Sequence, residues 1–189
     1  PGSSLPTTPA ENNRALIYLF RHLGFNLVEL NDWNCCGSSS AHSIDSNLAF
    51  DLAGRNLSLA PPDLPLLVAC PSCLLRLRQA HLHLKNDETG RKRFERTWGQ
   101  PFNPKLEILH FFEFLDQIDL LSFSKDHTLR LEGLKFVPYY GCMLARPPIL
   151  RHEKNYFGLM EKIISCFGAT PQKWSFSSRC CGTFLTVAR

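Results

Sequence analysis

Eight cysteines in 189 residues constrain this chain more than any other feature. Seven fall in tight groups or beside a glycine: Cys35-Cys36-Gly37, Cys70-Pro71-Ser72-Cys73, Gly141-Cys142 and Cys180-Cys181-Gly182. Cys166 stands apart. Adjacent cysteines rarely bond to each other, because a disulfide between neighbours strains the intervening peptide. The chain is also long for a disulfide scaffold, and Pro1-Gly2-Ser3-Ser4-Leu5 does not read as a secretory signal. Grouped thiols without an oxidising context read instead as ligands for a soft metal ion or an iron–sulfur cluster.

Composition narrows the alternatives. The chain is 44% hydrophobic and 20% charged, enough to bury a core, so a disordered chain is excluded. Its net charge is +4, and its basic residues are scattered apart from Arg91 to Arg96. Nucleic acid is therefore not an expected partner. No apolar run of about 18 residues is present, so no transmembrane helix is expected. No Ser-His-Asp order, glycine-rich phosphate loop or carboxylate pair supports a hydrolase or nucleotide-binding reading.

The chain also repeats itself. Gly2-Ser3-Ser4-Leu5 and Gly141-Cys142-Met143-Leu144 each precede a proline-containing loop and an amphipathic helix. In the first copy Leu16, Leu19, Phe20 and Leu23 share a face, Thr8-Pro9-Ala10-Glu11 reads as a capping box, and Gly24 ends the helix. In the second, Phe157, Met160, Ile163, Ile164 and Phe167 share a face and Gly168 ends it. Cys-Cys-Gly follows at similar distances, 11 positions from Gly24 to Cys35 and 12 from Gly168 to Cys180. A helix over Asn47–Ala60 and a strand over Leu64–Ala69 then lead to Cys70. A strand over Leu134–Tyr140 delivers Cys142 to a loop, Leu109–Leu121 reads as a further helix, and residues 86–104 read as a solvated helix or connection.

This alternation predicts an α/β fold: two repeated cysteine-rich units with small parallel sheets, the second incomplete. The expected divisions are 1–85 for the first unit, 86–130 for connecting helices and 131–189 for the second. The sequence is expected to be a fragment, lacking a strand before Pro1 and a longer piece after Arg189. The cysteines fall at strand-to-helix junctions, where open α/β sheets place their sites.

Thiolates are soft ligands, and a Cys-x-x-Cys opening a helix sets two sulfurs at an end whose dipole favours thiolate. The pair Cys35-Cys36 can aim both sulfurs at one centre if the backbone turns sharply, which Gly37 permits. Asp32-Trp33-Asn34-Cys35-Cys36-Gly37, Ala69-Cys70-Pro71-Ser72-Cys73, Tyr140-Gly141-Cys142 and Cys180-Cys181-Gly182 together resemble the B subunit of heterodisulfide reductases, which carries paired cysteine-rich CCG domains. The resemblance implies five cysteines per complete unit, holding a noncubane [4Fe–4S] cluster at which a disulfide substrate is reductively cleaved. It also implies iron–sulfur and flavin partner subunits, a small disulfide or thiol substrate, and a cytoplasmic location, associated with a membrane complex through those partners.

Carried over by residue, the resemblance makes Cys35, Cys36, Cys70 and Cys73 the ligands of the first unit, whose leading position is Ser3. Serine is a poor iron ligand, so the first unit is expected to hold zinc or an iron–sulfur cluster. Cys142, Cys180 and Cys181 are the ligands of the second, with its Cys-x-x-Cys beyond Arg189, and this unit is expected to hold the noncubane cluster and be catalytic. The alternatives are a non-catalytic zinc-stabilised assembly module, or the iron–sulfur subunit of a lactate, glycolate or succinate oxidoreductase, relatives that share the domain.

Other residues read as ordinary. Cys166 is expected to pack as a small hydrophobe and Trp33 to lie over the first metal loop. His42 and Arg146 read as loop and surface residues near the two sites, His81 and His83 as surface residues, and His110 as an interface packing residue. His127 and His152 belong to no constellation.

Overall fold

A computed structural model describes residues 10–38, 41–122, 131–145 and 156–182, without the side chains of His42 and Ser43. The architecture is α/β, with two small parallel sheets of two strands each. The chain divides into two compact units, residues 1–110 and 111–189.

In the first unit α1 (Ala10–His22) buries Phe20, and Gly24 ends it with a positive φ of 82°. Helices α2 (Ala41–Ile44) and α3 (Ser46–Ser58) follow the Cys35-Cys36-Gly37 turn. Asp45 caps α3, its carboxylate accepting from Asn47 N at 2.8 Å. Strand β1 (Leu66–Val68) runs into α4 (Pro71–Asn86), with Pro71 in the first turn, where a missing N–H costs nothing. Asp87 then caps α5 (Glu88–Trp98), which Gly99 ends in the left-handed conformation. Strand β2 (Ile108–His110) lies parallel to β1 in the register Leu66↔Ile108 to Val68↔His110. The core lies where α3, α4 and α5 pack together and where α4 covers the sheet. There the Arg78 guanidinium donates to Ile108 O at 2.9 and 2.5 Å, tying α4 to β2.

The helix expected over Leu109–Leu121 is corrected at its start. Leu109 and His110 extend β2, whose three residues are all buried, and helix α6 (Phe111–Asp116) begins after them. Pairing with β1 satisfies this backbone and overrides the helical spacing of the apolar residues. The strand expected over Leu64–Ala69 is confined to Leu66–Val68.

In the second unit β3 (Lys135–Phe136) pairs in parallel with β4 (Thr170–Pro171). Helix α7 (Gly141–Ala145) follows β3, and α8 (Leu159–Ser165) packs on α6 and β4. The long strand expected over Leu134–Tyr140 is reduced to two residues, because Pro138 and Pro171 have no N–H for a ladder. The two segments nonetheless stay side by side. Thr170 N donates to Leu134 O at 2.8 Å, Gln172 N to Phe136 O at 2.7 Å, and the Trp174 indole to Pro138 O at 2.6 Å. Phe157 does not belong to the helix: Gly158, at φ 91°, caps α8 and leaves Phe157 outside it and 44% exposed. Cys142 is not in a loop but in the first turn of α7. Ser3, Thr8-Pro9, His127, Arg146 and His152 lie outside the described residues, as does the His42 side chain.

Candidate metal or cluster centres

Both Cys-Cys-Gly turns close as their glycines demand. Gly37 has φ 76° and Gly182 φ 77°, a region that residues with a Cβ enter only with strain. At Gly37 space matters as well as φ, since a Cβ there would lie 3.2 Å from Ala49 O of α3.

In the first unit the turn is locked by a side-chain network that the sequence reading missed. Asn56 of α3 is 6% exposed. Its amide pairs with both backbone groups of Asn34, Oδ1 accepting from Asn34 N at 3.0 Å and Nδ2 donating to Asn34 O at 2.9 Å. The Asn34 amide donates in turn to Cys35 O at 2.7 Å and to Leu52 O at 3.0 Å. Arg55 donates to Asp32 O at 2.6 Å and Asn34 Oδ1 at 3.0 Å, and its guanidinium pairs with the Asp32 carboxylate. Asp32 has φ 58°, the only non-glycine residue at positive φ among the described residues, so the clasp holds a sharp bend just before the cysteines. One signal in the sequence points to it: Asn56 falls at the buried phase of α3, with Ala49, Ala53 and Leu57.

This clasp brings the turn to the start of α4. The Cys36 and Cys73 sulfurs are 2.9 Å apart, and Cys70, three positions before Cys73, opens the same helix. Hydrogen bonding within this trio lowers Cys36 and Cys70, to about 6 each, and raises Cys73. Burial opposes the two lowered values, while amides of Ser72 and Cys73 at the open end of α4 help to hold Cys70 down. Cys35 is half-buried, and among the described residues its thiol takes no part in these contacts.

In the second unit Ser177 O accepts from Tyr140 N at 2.8 Å and Gly141 N at 3.1 Å. The Tyr139 hydroxyl donates to Arg179 O at 2.7 Å. These bonds bring the Cys180 segment beside Cys142, and Gly182 N donates to Cys180 Sγ at 3.3 Å. Burial first, and then Cys180, raises the Cys142 thiol. Cys180 and Cys181 are exposed. Tyr140 points the other way along the extended chain. Its hydroxyl accepts from Gly158 N at 2.9 Å and Met160 N at 3.1 Å and pairs with Glu161, supplying the N-terminal cap of α8.

The remaining expected residues sort as follows. Cys166 is half-buried, its thiol donating to Lys162 O at 3.2 Å. The Trp33 indole donates to Glu29 at 2.6 Å. His83 is exposed and stacks on Phe50 at 4.5 Å. His81 departs from the surface reading: it is half-buried, bonded to Asn103 O at 3.0 Å, and burial lowers its pKa. His110 is 1% exposed at the end of β2.

Among the described residues no group of three or more His, Cys, Asp or Glu side chains is arranged around a single metal ion. Two sulfurs on one tetrahedral ion, at about 2.3 Å from it, would stand nearly 4 Å apart, wider than the 2.9 Å between Cys36 and Cys73. The donor chemistry does fit a thiophilic group, since two converging thiols of the first unit ionise near 6.

Comparison with known proteins agrees with this. Residues 4–78 match the family model described as CCG, a cysteine-rich domain. A CCG cysteine-rich domain is present. It covers the Cys35-Cys36-Gly37 turn, Cys70 and Cys73. Over 186 residues the chain is 27% identical to the 8-methylmenaquinol:fumarate reductase membrane anchor subunit of Wolinella succinogenes, covering 96% of this chain. The chain spans 65% of that relative's length. That relative is a fumarate reductase subunit by name rather than a heterodisulfide reductase subunit. Among the described residues no helix is long and apolar enough to cross a membrane.

Proposed function

We propose that this chain is the CCG portion of an iron–sulfur electron-transfer subunit of a membrane-associated reductase complex. In this reading the complex links quinol oxidation to reduction of a dicarboxylate and includes iron–sulfur and flavin subunits. The observation that carries the proposal is the repeated site: each unit turns a Cys-Cys-Gly segment so that its thiols meet a cysteine at a strand-to-helix junction. The name of the relative favours the succinate or fumarate branch over disulfide cleavage.

Cys35, Cys36, Cys70 and Cys73 would hold the group of the first unit, zinc or an iron–sulfur cluster. Cys142, Cys180 and Cys181 would contribute to a noncubane [4Fe–4S] cluster in the second. When bound, such a cluster supplies one-electron chemistry. The protein's own part in the first unit is to bury the sulfurs and to lower Cys36 and Cys70, the two that ionise most readily, while Cys73 would give up its proton on ligation. Exposure of Cys180 and Cys181 favours a second reading, in which a small disulfide reaches the second site. There two electrons from a partner subunit and two protons convert it to two thiols.

The test is anaerobic purification of the natural full-length protein, with iron, sulfide and zinc analysis and EPR. Iron with sulfide and an EPR signal is expected. Zinc alone, with no signal in any redox state, would sink the electron-transfer reading and leave the zinc-stabilised assembly module. A signal that changes on adding a thiol would favour the disulfide branch.

A further inference from the structure

We infer that Tyr139 is the positioning residue of the second thiol group, its hydroxyl holding the Cys180–Cys181 turn against Cys142. The segments around residues 134–141 and 170–179 run side by side, and their backbone rungs end at Ser177. Beyond Ser177, the bond from the Tyr139 hydroxyl to Arg179 O at 2.7 Å joins the residue just before Cys180 to the segment just before Cys142. Gly141 makes the fold-over possible. Its φ of 64° is what favours glycine there, since an added Cβ would only make ordinary contact with the Tyr139 ring at 3.7 Å. Tyr139 is 42% exposed and meets Trp174 at 6.1 Å, while Trp174 meets Phe176 at 6.0 Å and Arg179 lies over Phe176 at 5.3 Å. These rings hold Tyr139 in place from one side, leaving its hydroxyl to select the position of the turn. Tyr140 has a separate task, capping α8, so the two adjacent tyrosines are not interchangeable.

This deepens the reading of Cys142, Cys180 and Cys181 as one ligand group and rests on it. The test is therefore made on the natural full-length protein, reduced and with any metal removed by chelation, using the thiol-bridging reagent dibromobimane followed by peptide mass spectrometry. Tyr139→Phe keeps the ring and removes only the hydroxyl. The yield of the Cys142–Cys180 bridge should fall by about fivefold, as expected for loss of one hydrogen bond, while the Cys36–Cys73 bridge in the same molecules stays unchanged. An unchanged Cys142–Cys180 yield would overturn the inference. An equal loss at both pairs would also overturn it, because Tyr139 would then support the fold at large. A natural full-length protein without iron would count against the functional reading and leave this result standing.

Discussion

In the first unit the Cys-Cys-Gly turn is pressed onto α3, with Gly37 in contact range of Ala49 and Asn56 paired to the chain just before the cysteines. In the second the same turn stands in the open. Among the described residues nothing lies within 4 Å of a Cβ at Gly182, Cys180 and Cys181 are exposed, and a tyrosine hydroxyl takes the place of the buried amide clasp. The sulfurs differ too, in the enclosed site through their hydrogen bonds rather than through exposure. The enclosed site shares protons so that Cys36 and Cys70 drop to about 6, whereas Cys142 of the open site is raised. One motif thus makes two kinds of site, and the surrounding elements decide which.

The clasp should give the largest difference. Asn56→Ala leaves Asn34 N and O without their partners in a part-buried position. Each stranded group costs roughly 1–3 kcal/mol, so the unit should lose roughly 3 kcal/mol in denaturant unfolding. Tyr139→Phe should lose about 1 kcal/mol or less, since water can replace the hydroxyl at an exposed site. Equal costs would remove the distinction between a buried and an open clasp.

The ionisation contrast is the next to test, in the metal-free chain. Iodoacetamide labelling of Cys70 should titrate with a midpoint near pH 6. Cys73→Ala removes the thiol that lowers it, and the midpoint should climb by about two pH units, towards the ordinary thiol value of about 8.5. The midpoint is the right readout, because a thiolate of lower pKa is also a weaker nucleophile and rates at one pH partly cancel. In the second unit Cys180→Ala should move Cys142 the opposite way, downward, since Cys180 helps to raise it. The sign for stability follows from linkage. With Cys36 and Cys70 lowered, the unfolded chain binds more protons at these positions between about pH 6 and 8.5. Their contribution is therefore present above that window and is lost as pH falls through about 6. A midpoint that ignores Cys73→Ala would break the comparison.

How much of this could be read from residues alone differs between the two sites. Gly37 and Gly182 were legible because a glycine after two cysteines has one economical use, a turn at positive φ. The helix before Gly24 was legible from its apolar spacing, and a helix expected over Asn47–Ala60 is found at Ser46–Ser58. Ile108–His110 was not, because a three-residue strand is defined by the partner it pairs with, and that partner lies about forty positions earlier, at Leu66–Val68. The Asn34–Asn56 pairing spans 22 positions, and no local pattern encodes it beyond a polar residue at a core phase of α3. Tyr139 and Tyr140 look alike in sequence. Only the alternation of an extended chain, together with what lies on each side, separates a clasp on the thiols from a cap on α8.

The smallest difference between the units, and the sharpest check on the role of surroundings, comes from the glycines themselves. Gly37→Ala and Gly182→Ala impose the same left-handed strain, about 1 kcal/mol each. At Gly37 the added methyl also meets Ala49 O at 3.2 Å and Ala49 Cα at 3.4 Å, backbone atoms of a packed helix that can move only with the helix. That crowding should bring the cost to roughly 2 kcal/mol and weaken the Cys36–Cys73 contact. At Gly182 the methyl meets nothing among the described residues, so the strain should stand alone and the approach of Cys180 to Cys142 should persist. Urea unfolding of the two variants, read with the bridging yield of each cysteine pair, measures both quantities. Matching costs and matching yields would mean that the turn, rather than the helix behind it, determines how the sulfurs are held.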